Sequence, residues 1–306
     1  MITTTAATST SSSDKLAELH AQITDGVAAL VQGQAWQAML ATAARFHSYS
    51  LNNLLLINMQ APHATRVAGF GTWKSLGRCV RKGERGIAIL APCTYRPQHQ
   101  AEATGQLEPV ATQSTGPEQA PGRRQVRGFR RAFVFDISQT DGQVLPDVAP
   151  VLLSGQAPAG LWDALAAQVH GHGYALERGD CHGANGLTNP ATRTVRVRDD
   201  VDDAQAVKTL AHELAHLECG HVQDMASYVI CRDRCEVEAE SVAYVVTAAA
   251  GMDPSSYTFA YLAHWAGGDS TAVRQAAETV LKAARTIVSH LDSAAQPSSE
   301  GALVSM

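Results

Sequence analysis

The stretch Thr209-Leu210-Ala211-His212-Glu213-Leu214-Ala215-His216 can do chemistry only as a helix. Four residues make just over one turn, so His212 and His216 project from one face and their imidazoles can grip a single zinc ion. Glu213 lies about a hundred degrees round the helix, beside that ion, where it can take a proton from a bound water. A five-residue pattern of this kind arises by chance in many helices, so its surroundings decide its weight. Asp199, Asp200, Asp202 and Asp203 precede it and can cap the free amides of a helix running from about Val201 to Cys219. Gly220 is a suitable stop.

Catalytic zinc requires a third protein ligand and one open position. Glu236, Glu238 and Glu240 follow on a helix that ends near Gly251. Glu236 and Glu240 are one turn apart and share a face, while Glu238 points elsewhere. Glu236 is assigned as the third ligand, and Glu240 as the carboxylate that fixes the tautomer of a ligating histidine. The same spacing permits the reverse assignment. An acidic solvated face is the plainer alternative, and the neighbours Ala239, Val242 and Ala243 argue against it. His221 misses the spacing of a third histidine ligand and reads as a surface residue or at most a substrate contact. Cys219, Cys231 and Cys235 could compete for metal but read as buried or free thiols. Tyr228 and His264 could stabilise an oxyanion, though no spacing rule selects them.

A length of 306 residues allows one large or two ordinary domains, and 45% hydrophobic residues suffice for packed cores. No apolar run reaches the roughly 20 residues of a membrane span. Residues 1–13 are mostly Thr, Ser and Ala and read as a disordered tail. The six cysteines include no CxxC pair, which suits reduced thiols and a cytoplasmic setting. Charge divides the chain. Residues 14–140 carry 14 Lys and Arg against 8 Asp and Glu, whereas 141–306 carry 10 against 21. Opposite signs in the two halves suggest two domains with different partners.

The basic half opens with helices over 14–31 and 35–47, then an apolar helix ending at Pro62. From Arg66 to Gly86, glycines alternate with Phe70, Trp73 and the cations Arg66, Lys74, Arg78, Arg81, Lys82 and Arg85. Strand 87–92 and strand 132–137 should pair as a hairpin across a Gln- and Pro-rich insert at about 98–122, bringing Arg127 and Arg130 alongside. Cations interleaved with aromatics suit single-stranded nucleic acid, because Arg and Lys neutralise phosphates while aromatic faces stack on unpaired bases. The Asn and Gln amides of the apolar helix, Asn53 among them, read as surface-facing or as able to reach a partner's hydrogen-bonding edges. A small domain with Phe70 and Trp73 in its core and a solvated basic rim fits the same composition.

The blocks Asn52-Asn53-Leu54-Leu55-Leu56-Ile57, Val67-Ala68-Gly69-Phe70-x-x-Trp73, Gly77-Arg78-x-Val80-x-Lys82-Gly83-Glu84-x-Gly86-Ile87 and Leu90-Ala91-Pro92 resemble the N-terminal domain of ArdC-type antirestriction proteins. That resemblance implies binding to single-stranded DNA. Residues 141–160 carry three prolines and read as a linker. Beyond them come a helix from Leu161, a short strand at 174–177 and a hairpin over 186–197. With Lys208–His216 and Glu236–Ala243, this order is similar to the ImmA/IrrE-like zincin metallopeptidases. The resemblance implies zinc-assisted peptide-bond cleavage of a protein substrate, with 194–197 as an edge strand for it. Helices over 257–266 and 272–291 should close the second domain before a disordered tail at 293–306.

The expectation is an α+β protein of two domains: 14–140 binding single-stranded DNA and 161–292 a zinc metallopeptidase. Glu213 is its base, His212, His216 and Glu236 its ligands, and Glu240 their support. One rival keeps DNA binding and makes the metal site structural; another keeps the peptidase and gives the basic half an acidic protein partner.

Overall fold

The computed structural model describes residues 12–95, 125–145, 155–223, 225–253 and 269–295 of the chain. The Gln- and Pro-rich insert, the helix expected over 257–266 and most of both tails lie outside these residues.

Three helices begin the chain: α1 (Ser12–Ala29), α2 (Gly33–Arg45) and α3 (Leu51–Gln60). Leu19, Ile23 and Val27 bury one face of α1 at helical spacing, with Leu30 buried just past its end, whereas α3 buries Leu51, Leu54, Leu55, Leu56 and Ile57. That wider burial reflects its position between helices and sheet. A small sheet follows, in the order β1 (Val67–Ala68), β4 (Gln125–Asp136), β3 (Ile87–Tyr95). The expected hairpin is present: β3 and β4 run antiparallel with Ile87 opposite Val134 and Leu90 opposite Arg131. The short helix α4 (Phe70–Ser75) and the antiparallel pair β2 (Arg78–Val80) and β5 (Thr140–Gly142) complete this half.

The open edge of β3 is closed by side chains. Asn53 donates to Leu90 O at 3.0 Å and accepts from Leu90 N at 2.9 Å. Gln60 does the same for Ala88, with both bonds at 2.9 Å. Two amides on α3 thus stand in for a missing strand. Asp136 performs a related task. Its carboxylate accepts from the backbone of Thr65, Arg66 and Ser138 at 2.8–3.0 Å, tying β1 and the turn after β4 to one buried acid. Burial works against its charge, but these bonds outweigh it and hold its pKa below the ordinary carboxylate value.

The acidic half comprises α5 (Leu161–Gly171), β6 (Ala175–Arg178), β7 (Gly186–Asn189), β8 (Thr194–Val197), α6 (Asp203–Glu218), α7 (Met225–Ile230), α8 (Arg232–Ala249) and α9 (Ser270–Ala295). Its sheet has the order β6-β8-β7, parallel for the first pair and antiparallel for the second. The strand at 194–197 is therefore central, paired on both sides, and cannot be the edge strand expected of it. The edge strands are β6 and β7, and β7 is the one beside α6.

This two-domain α+β chain has a continuous core. Trp36 of α2 donates to Ser241 of α8 at 2.9 Å, both fully buried. From α9, Arg285 donates to the carbonyls of His47 and Tyr49 at 2.9 and 2.7 Å, and Arg274 to Asn52 at 2.9 Å. Apolar side chains of α1, α2 and α3 belong to the same buried cluster as those of α6, α8 and α9. Among the described residues, no helix is long and apolar enough to cross a membrane.

Candidate metal centre

Helix α6 starts where Asp202 accepts the N–H of Gln205 at 2.8 Å, as the acidic run before it suggests. Its inner face lies on α8, so the histidines of one helix meet the glutamates of the other. His212 Nε2 lies 3.1 Å from His216 Nε2 and 3.4 Å from Glu236 Oε2, while His216 Nε2 lies 3.9 Å from Glu236 Oε1. Ligands held 2.0–2.1 Å from a tetrahedral ion stand about 3.3 Å apart. The three donors thus converge on a possible site for a divalent metal ion.

Each ligand candidate is held from behind. Glu240 Oε2 meets His212 Nδ1 at 3.2 Å and its other oxygen lies 3.6 Å from Lys208 Nζ. Tyr228 donates to Glu236 Oε1 at 2.6 Å. Glu238 points away from the convergence, as its position on α8 suggests, and meets His221 instead. His221 is a correction: it is buried, with Nδ1 3.0 Å from His216 Nδ1 and Nε2 3.0 Å from Glu238 Oε2. The turn that ends α6 brings it there. Gly220 takes φ +77°, its N–H bonds Leu217 O at 3.1 Å, and the His221 N–H bonds His216 O at 3.0 Å. Such a glycine-ended helix folds the second residue beyond the cap back over its last turn. Gly220 was the sequence signal that could have found His221.

Electrostatics separate the ionisable groups. Burial alone would lower His212, but its bonds to Glu236 and Glu240 outweigh it and lift its pKa to about 10. Burial pushes His216 down to about 3, helped by the charge on His212. Glu236 resists burial through His212 and Tyr228 and falls to about 2. Glu213 is the exception, since burial raises its pKa. It accepts from Thr188 Oγ1 of β7 at 2.6 Å, and a Cβ on Gly186 would stand 2.5 Å from its Oε1. Only glycine at 186 leaves room for that carboxylate. The free edge of β7, Glu213, the metal-ligand candidates and Arg232 line one cleft of ≈ 580 Å³. Cys219, Cys231 and Cys235 are free thiols outside the donor set.

The basic half departs further from expectation. Trp73 is 2% exposed and donates to Phe135 O at 2.9 Å, so its ring cannot stack on a base. Asn53 has both amide atoms committed to β3. Arg78 spends its guanidinium on Thr140 at 2.8 Å and on the carbonyls of Gly142 and Gln143. Arg81 is bound by Glu84 at 2.7 Å and by Ser138 O. Arg66 is partly buried beside Asp136. Phe70, Lys74, Lys82, Arg85, Arg127 and Arg130 are exposed. Two further aromatics were missed: Phe129 and Phe133 are 56% and 48% exposed. With Arg131, whose guanidinium lies 4.7 Å over the Phe133 ring, they share one face of β4 at period two. The strand expected at 132–137 begins at Gln125 instead, and only that greater length puts Phe129 and Phe133 in one alternation.

Residues 14–135 match the family model of the N-terminal domain of anti-restriction factor ArdC, and residues 165–256 match that of the IrrE N-terminal-like domain, a peptidase family. A curated relative from Bacillus anthracis, named as an uncharacterized protein pXO2-81, is 27% identical over 247 residues, 72% of this chain and 41% of its own length. The chain therefore spans about two-fifths of that relative. Two crystal structures of the antirestriction ArdC protein from the R388 plasmid are similar to it. The metal-free structure has 22% identity, covers 80% of this chain and 86% of its own, and gives a TM-score of 0.47. The Mn(II)-bound structure has 19% identity, covers 82% and 97%, and gives a TM-score of 0.44.

Proposed function

We propose that this chain, which has the architecture of an ArdC-type N-terminal domain joined to an IrrE-like peptidase domain, is a zinc-dependent metallopeptidase that works on or near single-stranded DNA. The domains divide within 141–160. The observation that carries the peptidase reading is the convergence of His212 Nε2, His216 Nε2 and Glu236 in a cleft that also holds Glu213. Two imidazole nitrogens, His212 once it has given up its proton, and one carboxylate form a donor set suited to zinc with a coordination position left over. Bound there, zinc would supply Lewis acidity toward a water and a scissile carbonyl.

The chain's own groups supply the rest. Glu213, raised by burial, is matched to accept a proton from water and return it to the leaving amine. Thr188 and the space above Gly186 fix where its carboxylate stands. Glu240 and Tyr228 hold His212 and Glu236 in place. The exposed edge of β7 beside them offers backbone groups to an extended polypeptide. Glu213→Gln with metal analysis tests this reading: the variant should keep zinc and lose cleavage. A wild-type protein without zinc affinity, or a variant that cleaves as fast, would refute it.

For DNA, the face of β4 that shows Phe129, Arg131 and Phe133 is the better candidate surface, with exposed Arg127 just before it on the strand; Arg130, by the same alternation, points to the other face. Two rings and a guanidinium at strand spacing match successive unpaired bases and their phosphates. A single-stranded oligonucleotide should bind at near-physiological salt, with affinity falling as salt rises. Absence of binding at micromolar protein would remove this half of the proposal.

A further inference from the structure

We infer that His221 is a positioning residue for His216, acting through the buried chain His216–His221–Glu238, which is anchored by the half-buried Arg234. The inference rests on His216 being a metal ligand, and it concerns which of its nitrogens is free to ligate. Arg234 Nε donates to Glu238 Oε1 at 2.7 Å. The other oxygen of Glu238 faces His221 Nε2 at 3.0 Å. An ionised carboxylate only accepts, so His221 Nε2 carries a hydrogen and donates it. In a neutral imidazole, this leaves His221 Nδ1 as a bare acceptor. His216 Nδ1 lies 3.0 Å away and must provide the hydrogen of that contact. His216 is then left with its lone pair on Nε2, the atom that stands 3.1 Å from His212 Nε2.

Donation thus runs outward from the cleft, His216 to His221 to Glu238, and Glu238 also accepts from Arg234 on its far side. His212 is supported differently, by a carboxylate directly. Two ligand candidates with the same chemistry are oriented by unlike partners, one reached through α8 alone and the other through the turn after α6. The side chains of His216, His221 and Glu238 are 8%, 6% and 4% exposed, so the contacts between them are largely shielded from water.

The test uses the full chain and zinc ion as the probe. His221→Leu removes both ring nitrogens, whereas His221→Asn keeps an oxygen able to accept from His216 Nδ1. Zinc affinity is measured by competition with a chromophoric chelator, and the imidazole ¹⁵N shifts of metal-free wild type are read by NMR. The expected results are an Nδ1–H tautomer for His216, an Nε2–H tautomer for His221, a loss of about 10–100-fold in zinc affinity for His221→Leu, and partial recovery in His221→Asn. Wild-type affinity in both variants, or a spectrum placing the His216 hydrogen on Nε2, overturns the inference. Should His221→Leu fail to fold, the tautomers of the wild type decide. A wild type that binds no zinc but shows both expected tautomers refutes the metal reading of the site and leaves the relay standing.

Discussion

The indole N–H of Trp36 and the hydroxyl of Ser241 meet at 2.9 Å inside the core, across 205 positions of sequence. Ser241 adjoins Glu240, so the helix that supports His212 rests on a helix of the basic half. Trp36→Phe keeps an aromatic ring but removes the donor and part of the buried indole, and should lower stability by at least about 1–2 kcal/mol in thermal or urea unfolding. A chain beginning at residue 155 would expose the faces of α8 and α9 that α1, α2 and α3 cover, and should show weakened helical circular dichroism and zinc affinity. Full retention of both would show that the shared core is dispensable.

Gly186→Ala should act on chemistry rather than on metal. The new methyl group would overlap Glu213 Oε1, so the carboxylate must move. A shift of about 1 Å at a catalytic group can cost on the order of 10²-fold in rate. Zinc content measured on the same preparation should match wild type.

Zinc uptake should release a proton. His212 carries one up to about pH 10 in the metal-free protein, because Glu236 and Glu240 flank it, whereas His216 is already neutral. The proton must leave before Nε2 can ligate, so affinity should rise with pH through the neutral range. Calorimetry in buffers of different ionisation enthalpy should give a release near one proton at pH 7. A pH-independent affinity would contradict it.

Asn53→Ala and Phe129→Ala should separate fold from binding. The first removes both bonds to Leu90 and should cost about 2 kcal/mol of stability, with DNA affinity unchanged in the folded fraction. The second removes an exposed ring and should weaken single-stranded DNA by about 1–3 kcal/mol at unchanged melting temperature. Fluorescence anisotropy with a labelled oligonucleotide reads both.

Asp136 should make the basic half sensitive to acid. Its folded pKa lies below the unfolded value, so its stabilising contribution is present above about pH 4 and is lost as pH falls through the folded pKa. Asp136→Asn should flatten that loss in a comparison of melting temperatures between pH 6 and pH 3.

Legibility followed the range of the interaction. His212, Glu213, His216, Glu236 and Glu240 were readable because each pair lies about one turn apart on its own helix, where sequence spacing is geometry. The β3–β4 pairing was readable from alternation. Asn53 and Trp73 were misread because a polar or aromatic side chain looks the same whether it faces solvent or a backbone partner 37 or 62 residues away. Arg78 was misread for the same reason, with acceptors on β5 and just beyond it. His221 depended on a left-handed glycine that was noted only as a stop, and the central place of β8 on a parallel partner that local pattern does not reveal.

The amides of Asn53 and Gln60 carry a consequence for assembly. Strand edges are where chains polymerise, since an exposed ladder of N–H and C=O groups templates the next copy. Here α3 occupies those groups on Ala88 and Leu90, so the β3 side cannot serve as a template there. A strand added along β4 would meet a sheet that recruits from one side only. Propagation needs two sticky sides, and this sheet keeps one of them shut with its own helix.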